Sequence, residues 1–295
     1  MNTPKRTFPQ KTGFVIFALL SLPFASSLAG ITAASAQSSP TPLLIAAPPT
    51  KQQASAVDLY NRGVDKLDAG NYQGAIDDFT QSLRLDPQDA DAYYNRAYAR
   101  HVLGKYPDAI ADYTEAIRLK PDYGDAYGNR AYAHYLAGNL QEAIADCTEA
   151  IRINPKNVDA YIYRGNARDD LGEHQVALDD YNQAIRLDSK NAKAYYNRAL
   201  AYNRLSEVTK AIEDYTQSIR FDNQSAEAYF NRGLTYLEQD ERQKAIADLR
   251  RAADLFQSQG KKQNYQDVLE ALKTVQQSPD TQPTPSSSDT SGQNN

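Results

Sequence analysis

The side chains able to do chemistry in this chain are few, and their spacing argues against catalysis. Three histidines, His101, His134 and His174, lie far apart with no ligand spacing among them. Cys147 is the single cysteine, which excludes an internal disulfide and any multi-cysteine metal site. The sequence contains no phosphate-binding glycine loop, no nucleophile elbow and no zinc-protease helix. Acid pairs such as Asp77-Asp78 and Asp179-Asp180 are adjacent, so on a helix their side chains diverge. One charged pair does recur: Arg62, Arg96, Arg130, Arg164, Arg198 and Arg232. Each is followed sixteen residues later by Asp78, Asp112, Asp146, Asp180, Asp214 or Asp248. Such a series is either a basic stripe for a ligand or an Arg–Asp ladder between helices, with the arginine stems on apolar neighbours. A partner rarely needs the same residue in every unit, whereas an architecture does, so the ladder is favoured.

The pair returns every 34 residues because everything around it does. Ala90 to Tyr123 lands on Gly124 to Asn157, then on 158–191, 192–225 and 226–259, and backwards on 56–89. A fixed period of this size marks stacked units that cannot bury a core alone. Each unit reads as two helices. Ser55, Asp89, Asn157, Asn191 and Ser225 stand as N-caps before five of the six, and Asp122 substitutes beside Tyr123 in the sixth. Gly70, Gly104, Gly138 and Gly172 close the first helices, with Ser206 and Asp240 in the same place later. Pro107 suits a helical first turn, and Pro87, Pro121 and Pro155 stop the second helices.

Small residues mark close approach: Ala75, Ala109, Ala143, Ala177, Ala211 and Ala245 in one position, Gly63, Ala97, Ala131, Gly165, Ala199 and Gly233 in another. Tyr93, Tyr127, Tyr161, Tyr195 and Tyr229 are expected to fill gaps from the first helix. Phe79, Tyr113, Cys147, Tyr181, Tyr215 and Leu249 do so from the second. Cys147 is thus expected to be a core filler rather than a reactive thiol. His101 and His134 occupy nearly the same place in successive units and read as surface positions.

This order of aromatic, Gly/Ala, turn glycine, alanine, aromatic, alanine and proline resembles the tetratricopeptide repeat over Ala56 to about Gln259. The resemblance implies an all-α fold: a right-handed superhelical solenoid of six helix-turn-helix repeats, with first helices lining a concave groove. The invariant arginine departs from the family, which usually has leucine there. After the repeats, Tyr265, Val268, Leu269, Leu272 and Val275 fall at helical spacing. They predict a C-terminal capping helix over 262–277.

The flanks differ in kind. Lys5, Arg6 and Lys11, an apolar run from Gly13 to Leu22, and Ala34-Ser35-Ala36 read as a secretory signal peptide over 1–36, with cleavage near Ala29 a second option. An uncleaved anchor over Gly13 to Ile31 is the alternative, weakened by Pro23 and several serines. Residues 37–55 read as a flexible linker and 278–295 as a disordered tail. The net charge of −5 argues against non-specific nucleic-acid binding, which needs a cationic surface. The expected setting is the periplasm or another lumen outside the cytoplasm.

The resemblance also implies where a partner sits. Family groove positions fall on Tyr60, Asp91, Tyr94, Tyr98, Asp125, Tyr132, Tyr135, Asp159, Asn166, Tyr196 and Phe230, together with Val64, Leu200 and Leu234. The face is aromatic with an acidic edge, and tyrosine offers large contact area with few rotors. The neighbouring asparagines Asn95, Asn129, Asn197 and Asn231, with Asn61, can hydrogen-bond a peptide backbone. The lysines of the family's carboxylate clamp are missing, so an acidic C-terminal tail is not the expected ligand. The sequence therefore predicts a non-catalytic scaffold for a peptide or protein partner of apolar and basic character, with no metal and no cofactor. The alternative is a membrane-tethered assembly factor that holds a complex together.

Overall fold

A computed structural model describes residue 5 and residues 54–277. The expected signal peptide (Lys5 apart), all but the last two residues of the linker, and the tail lie outside the described residues. Among the described residues there are thirteen α-helices and no strand. They run α1 (Ala56–Asp68), α2 (Tyr72–Leu85), α3 (Ala90–Val102), α4 (Tyr106–Leu119), α5 (Gly124–Leu136), α6 (Leu140–Ile153) and α7 (Val158–Asp170). They continue α8 (His174–Leu187), α9 (Ala192–Arg204), α10 (Val208–Phe221), α11 (Ala226–Glu238), α12 (Arg242–Ser258) and α13 (Lys262–Gln277). Chain contacts divide the protein into two units that meet at Tyr163 and Arg164, inside α7. Within each unit consecutive helices pack as antiparallel pairs, the arrangement typical of a tetratricopeptide solenoid.

Local chemistry sets the helix ends. Ser55 and Asp58 form a reciprocal capping box at α1, and Asp89 accepts from the amides of Asp91 and Ala92 at α3. Asn157, Asn191 and Ser225 accept from the amides of Ala160, Ala194 and Ala228. Tyr123 gives α5 no side-chain cap, and Asp122 contributes its backbone carbonyl, which accepts from Gly124, rather than its carboxylate. The first helices close through left-handed residues: Gly70, Gly104, Gly138 and Gly172. Ser206 and Asp240 take the same turn at φ 58°, a conformation that costs a side-chain-bearing residue more than glycine.

The core is built by register. All six alanines of the Ala75 series are fully buried. A Cβ on Gly63 would stand 2.7 Å from the Phe79 ring, and one on Gly165 would stand 2.7 Å from Tyr181, so these glycines make room for rings sixteen residues on. Cys147 holds that ring position in the third repeat and is fully buried against Ala131 and Tyr163. Tyr163 in turn stands where five units carry asparagine. The terminal helix α13 buries Val268, Leu272 and Val275, while Leu269, expected on that face, is 38% exposed.

The recurring charged pair is a ladder. Arg96 Nε and Nη2 donate to the two carboxylate oxygens of Asp112 at 2.8 and 2.7 Å, and Arg130 does the same to Asp146 at 2.7 and 2.6 Å. Arg62, Arg164, Arg198 and Arg232 grip Asp78, Asp180, Asp214 and Asp248 in turn. Every one of these aspartates is buried. The remaining arm of the guanidinium reaches the second helix of the preceding repeat: Arg96 to Thr80, Arg130 to Thr114, Arg198 to Asn182 and Arg232 to Thr216. Lys66, Arg100 and Arg168 add a second cation to Asp78, Asp112 and Asp180. At Asp78 burial alone would push the carboxyl up; the hydrogen bonds from Arg62 and Lys66 outweigh it and hold the group below its ordinary range. Asp214 faces Arg198 with Tyr202 in the second-cation position, and burial pushes its carboxyl up.

Reversing one charge places a second acid against a buried aspartate. We expect Arg130→Asp to lower the melting temperature sharply, with a loss of roughly 3–5 kcal/mol for a broken buried pair. The double exchange Arg130→Asp with Asp146→Arg should recover part of that loss in thermal melts. Identical melting of the single and double variants would show that the pairing adds nothing to stability.

Candidate functional site

Positions 2, 5, 9 and 12 of each first helix share one helical face, since 3.6 residues complete a turn. The arginine at position 7 lies about 200° around the helix from position 5, so the ladder leaves this face to vary. Along the amino-terminal unit it carries Asp91, Asp125 and Asp159 at position 2, with Tyr98, Tyr132 and Tyr135 nearer the helix ends. All six are half-buried.

The predicted site residues do not share one environment. Tyr60, Tyr94 and Asn95 are buried, at 2%, 8% and 2% exposed, and work as packing between repeats. Asn95 donates to the Tyr60 hydroxyl at 2.9 Å, Asn129 to Tyr94 at 2.8 Å and Asn231 to Tyr196 at 2.8 Å. These three asparagines join α3, α5 and α11 each to the first helix before it, a structural use in place of the expected peptide contacts. The fourth unit carries Ile162 where the first, second and fifth carry tyrosine, and Asn197 donates instead to Asn166, which also accepts from the Tyr181 hydroxyl. Tyr196 is half-buried with its hydroxyl pushed up to about 12, by burial first and by Glu227 second. Phe230 is half-buried as well, packed on the terminal cluster around Phe256.

The tyrosines expected to fill gaps behave differently again. Tyr93, Tyr127, Tyr195 and Tyr229 are half-buried under the guanidinium groups of Arg96, Arg130, Arg198 and Arg232, at 5.4, 5.5, 5.5 and 5.7 Å.

Position 12 adds residues outside the expected groove set, Tyr135 excepted. It runs Leu67, His101, Tyr135, Asp169, Asn203, Leu237. His101 is therefore the counterpart of Tyr135, not of His134, which approaches the ladder carboxylate of Asp146. The 34-residue register from Tyr135 was the available signal. His101 stacks on Tyr132 with ring centroids 5.1 Å apart and meets the edge of Tyr106 at 5.6 Å; Tyr132 continues to Tyr163 at 4.5 Å. Its Nδ1 is buried without a hydrogen-bond partner. In the carboxy-terminal unit Asp169 is 5% exposed, accepts from His174 Nδ1 at 2.6 Å and pairs with Arg204. Among the described residues no group of three or more His, Cys, Asp or Glu could hold a metal ion, and no helix is long and apolar enough to cross a membrane.

Comparison with known proteins agrees with this geometry. A tetratricopeptide-repeat family profile matches residues 60–123 and 102–158, a TPR-repeat profile 165–206 and 201–240, and a further tetratricopeptide profile 226–259. The chain belongs to the tetratricopeptide-repeat proteins. No curated protein gives a match. Among solved structures it is similar to MamA, with 25% identity, a TM-score of 0.53, and coverage of 56% of this chain and 96% of that one. It also shares its fold with YrrB, described as a TPR protein with an unusual peptide-binding site (22% identity, TM-score 0.52, 66% and 97% covered). The third is the Cut9–Hcn1 hetero-tetramer of the APC/C (21%, TM-score 0.63, 76% and 43% covered).

Burial lowers the His101 imidazole from 6.5 to about 4. The folded protein therefore takes up this proton later than the unfolded chain. Stability from this group is intact above pH 6.5 and falls as pH drops toward 4, by at most about 1.4 kcal/mol per pH unit. We expect His101→Phe, which keeps a ring against Tyr132, to remove that share of the slope in denaturant titrations at pH 7 and pH 5.

Proposed function

We propose that the chain is a non-catalytic scaffold that holds a peptide or protein partner along the first-helix face of its repeats. The observation that carries this reading is the ring row of the amino-terminal unit. His101 and Tyr132 are partly open to solvent yet fixed by stacking, and Tyr98 and Tyr135 lie half-buried alongside. Rings held in place lose little freedom on binding and present both an apolar face and a polar tip. The carboxylates of Asp91, Asp125 and Asp159 beside them favour a partner with basic character and disfavour nucleic acid. Burial raises the Asp125 carboxyl, against the pull of Lys120, so a neutralising cation there has more to gain. The peptide-binding description of YrrB is in keeping with this use of the fold.

The double variant Tyr98→Ala with Tyr132→Ala is expected to lose captured partners from native-compartment extracts while its helical content is retained. Unchanged partners with an intact fold would remove this face as the site.

Export remains part of the proposal, resting on the basic, apolar and small-residue order of residues 1–36. Sequencing the mature amino terminus is expected to give a start near Gln37. A chain that keeps residues 1–36 would favour the tethered assembly factor.

A further inference from the structure

The first junction between repeats holds a lysine. Lys5 Nζ lies 2.5 Å from Asp89 Oδ1 and 3.3 Å from Asp91 Oδ2, and 4.5 Å above the centroid of the Tyr60 ring. Each wall of this cradle is itself fixed. Asp89 is the N-cap of α3, and Asp91 Oδ1 accepts from the Tyr123 hydroxyl at 3.0 Å. Tyr60 accepts from Asn95, and Tyr123 stacks on Tyr94 with centroids 4.9 Å apart. The geometry suits an ammonium in particular. Its three hydrogens can serve acceptors on different residues while the charge sits over a ring, whereas a planar guanidinium matches one carboxylate side-on.

The register shows that this junction is unlike the others. The counterparts of Asp89 are Tyr123, Asn157, Asn191 and Ser225, so two carboxylates stand side by side only here. Two later junctions are served by lysines close to the repeats themselves: Lys120 lies 4.2 Å over the Tyr123 ring, and Lys261 bonds Glu227 at 2.6 Å. The first junction draws its lysine from outside the repeats.

Resting on the scaffold reading above, we propose that Tyr60, Asp89 and Asp91 form a recognition site for a lysine side chain of the partner protein. Lys5 occupies that site in the intact chain as an internal competitor. Loss of the basic amino-terminal segment, or a partner at sufficient concentration, frees the cradle. The contact is electrostatic and partly exposed, so binding weakens as salt rises.

The test uses the full chain and a fluorescent synthetic peptide of residues 2–9, Asn-Thr-Pro-Lys-Arg-Thr-Phe-Pro, alongside the same peptide with glutamine for its lysine. The Lys5→Gln chain is expected to bind the lysine peptide roughly tenfold more tightly than the unaltered chain, because its competitor is gone. The glutamine peptide, and the Lys5→Gln/Asp91→Asn chain, should each lose most of that gain. Asn at position 91 still accepts from Tyr123 and leaves the Asp89 cap untouched; circular dichroism checks that the helices persist. Equal binding of the two peptides, equal binding by the unaltered and Lys5→Gln chains, or no binding at all would overturn the lysine site. None of those outcomes touches the capture of partners through Tyr98 and Tyr132, so this inference and the scaffold reading can fail separately.

Discussion

The repeats are held by a charge that must not be left alone. Six buried aspartates, one per repeat, sit where an ionised carboxylate is tolerable only if it is gripped. Each finds a two-pronged arginine from its own first helix, and in four repeats the same guanidinium reaches back to a threonine or asparagine of the unit before. One side chain therefore fixes both the angle inside a helix pair and the register between neighbouring pairs. The exception proves informative: Arg62, with no described helix before it, is 52% exposed, against 13% for Arg96. Covering of the arginine comes from the preceding repeat, so the ladder is shielded from solvent only where units stack. That is the same dependence on neighbours that a repeat array shows in its apolar core.

Committing the ladder to one side of each first helix leaves the opposite side free of architectural charge. There the chain varies: tyrosine, histidine, aspartate and asparagine take turns at position 12. Variation is graded rather than free, because position 5 is shared between the face and the core. Tyr94 looks like a recognition residue in a helical projection, yet it lies buried under the next repeat with its hydroxyl engaged by Asn129. In the proposed scaffold the surface offered to a partner is the outer rank, Asp91 to Asp159 and Tyr98 to Tyr135, with the buried rank behind it.

How much of this was legible follows from what each feature depends on. Helix ends set by one residue's own chemistry were readable: Ser55 and Asp89 cap as expected, and the left-handed turns fall at the four glycines and at Ser206 and Asp240. The ladder was readable because an invariant spacing of sixteen repeats with the period. Exposure was not. A helical projection gives direction but not depth, so it could not separate buried Tyr94 from half-buried Tyr98, four residues on along the same helix. Nor could it show that the Tyr93 series lies beneath arginines, or that Leu269 faces outward, since both depend on which neighbour arrives. For His101 the 34-residue register, not residue type, carries the signal: its counterpart is Tyr135 and not His134.

The pairing of Cys147 with Tyr163 limits how this protein could have been assembled from its own parts. The thiol is smaller than the four rings and the leucine that its siblings place at that depth, and the ring beside it stands where siblings place an amide. Neither departure makes sense alone: a tyrosine restored at 147 would collide with Tyr163, and an asparagine restored at 163 would open a void beside the sulfur. Duplication or recombination that moved the third unit without the start of the fourth would therefore yield a misfitted seam. The smallest interchangeable piece at this point in the chain is longer than its 34-residue period.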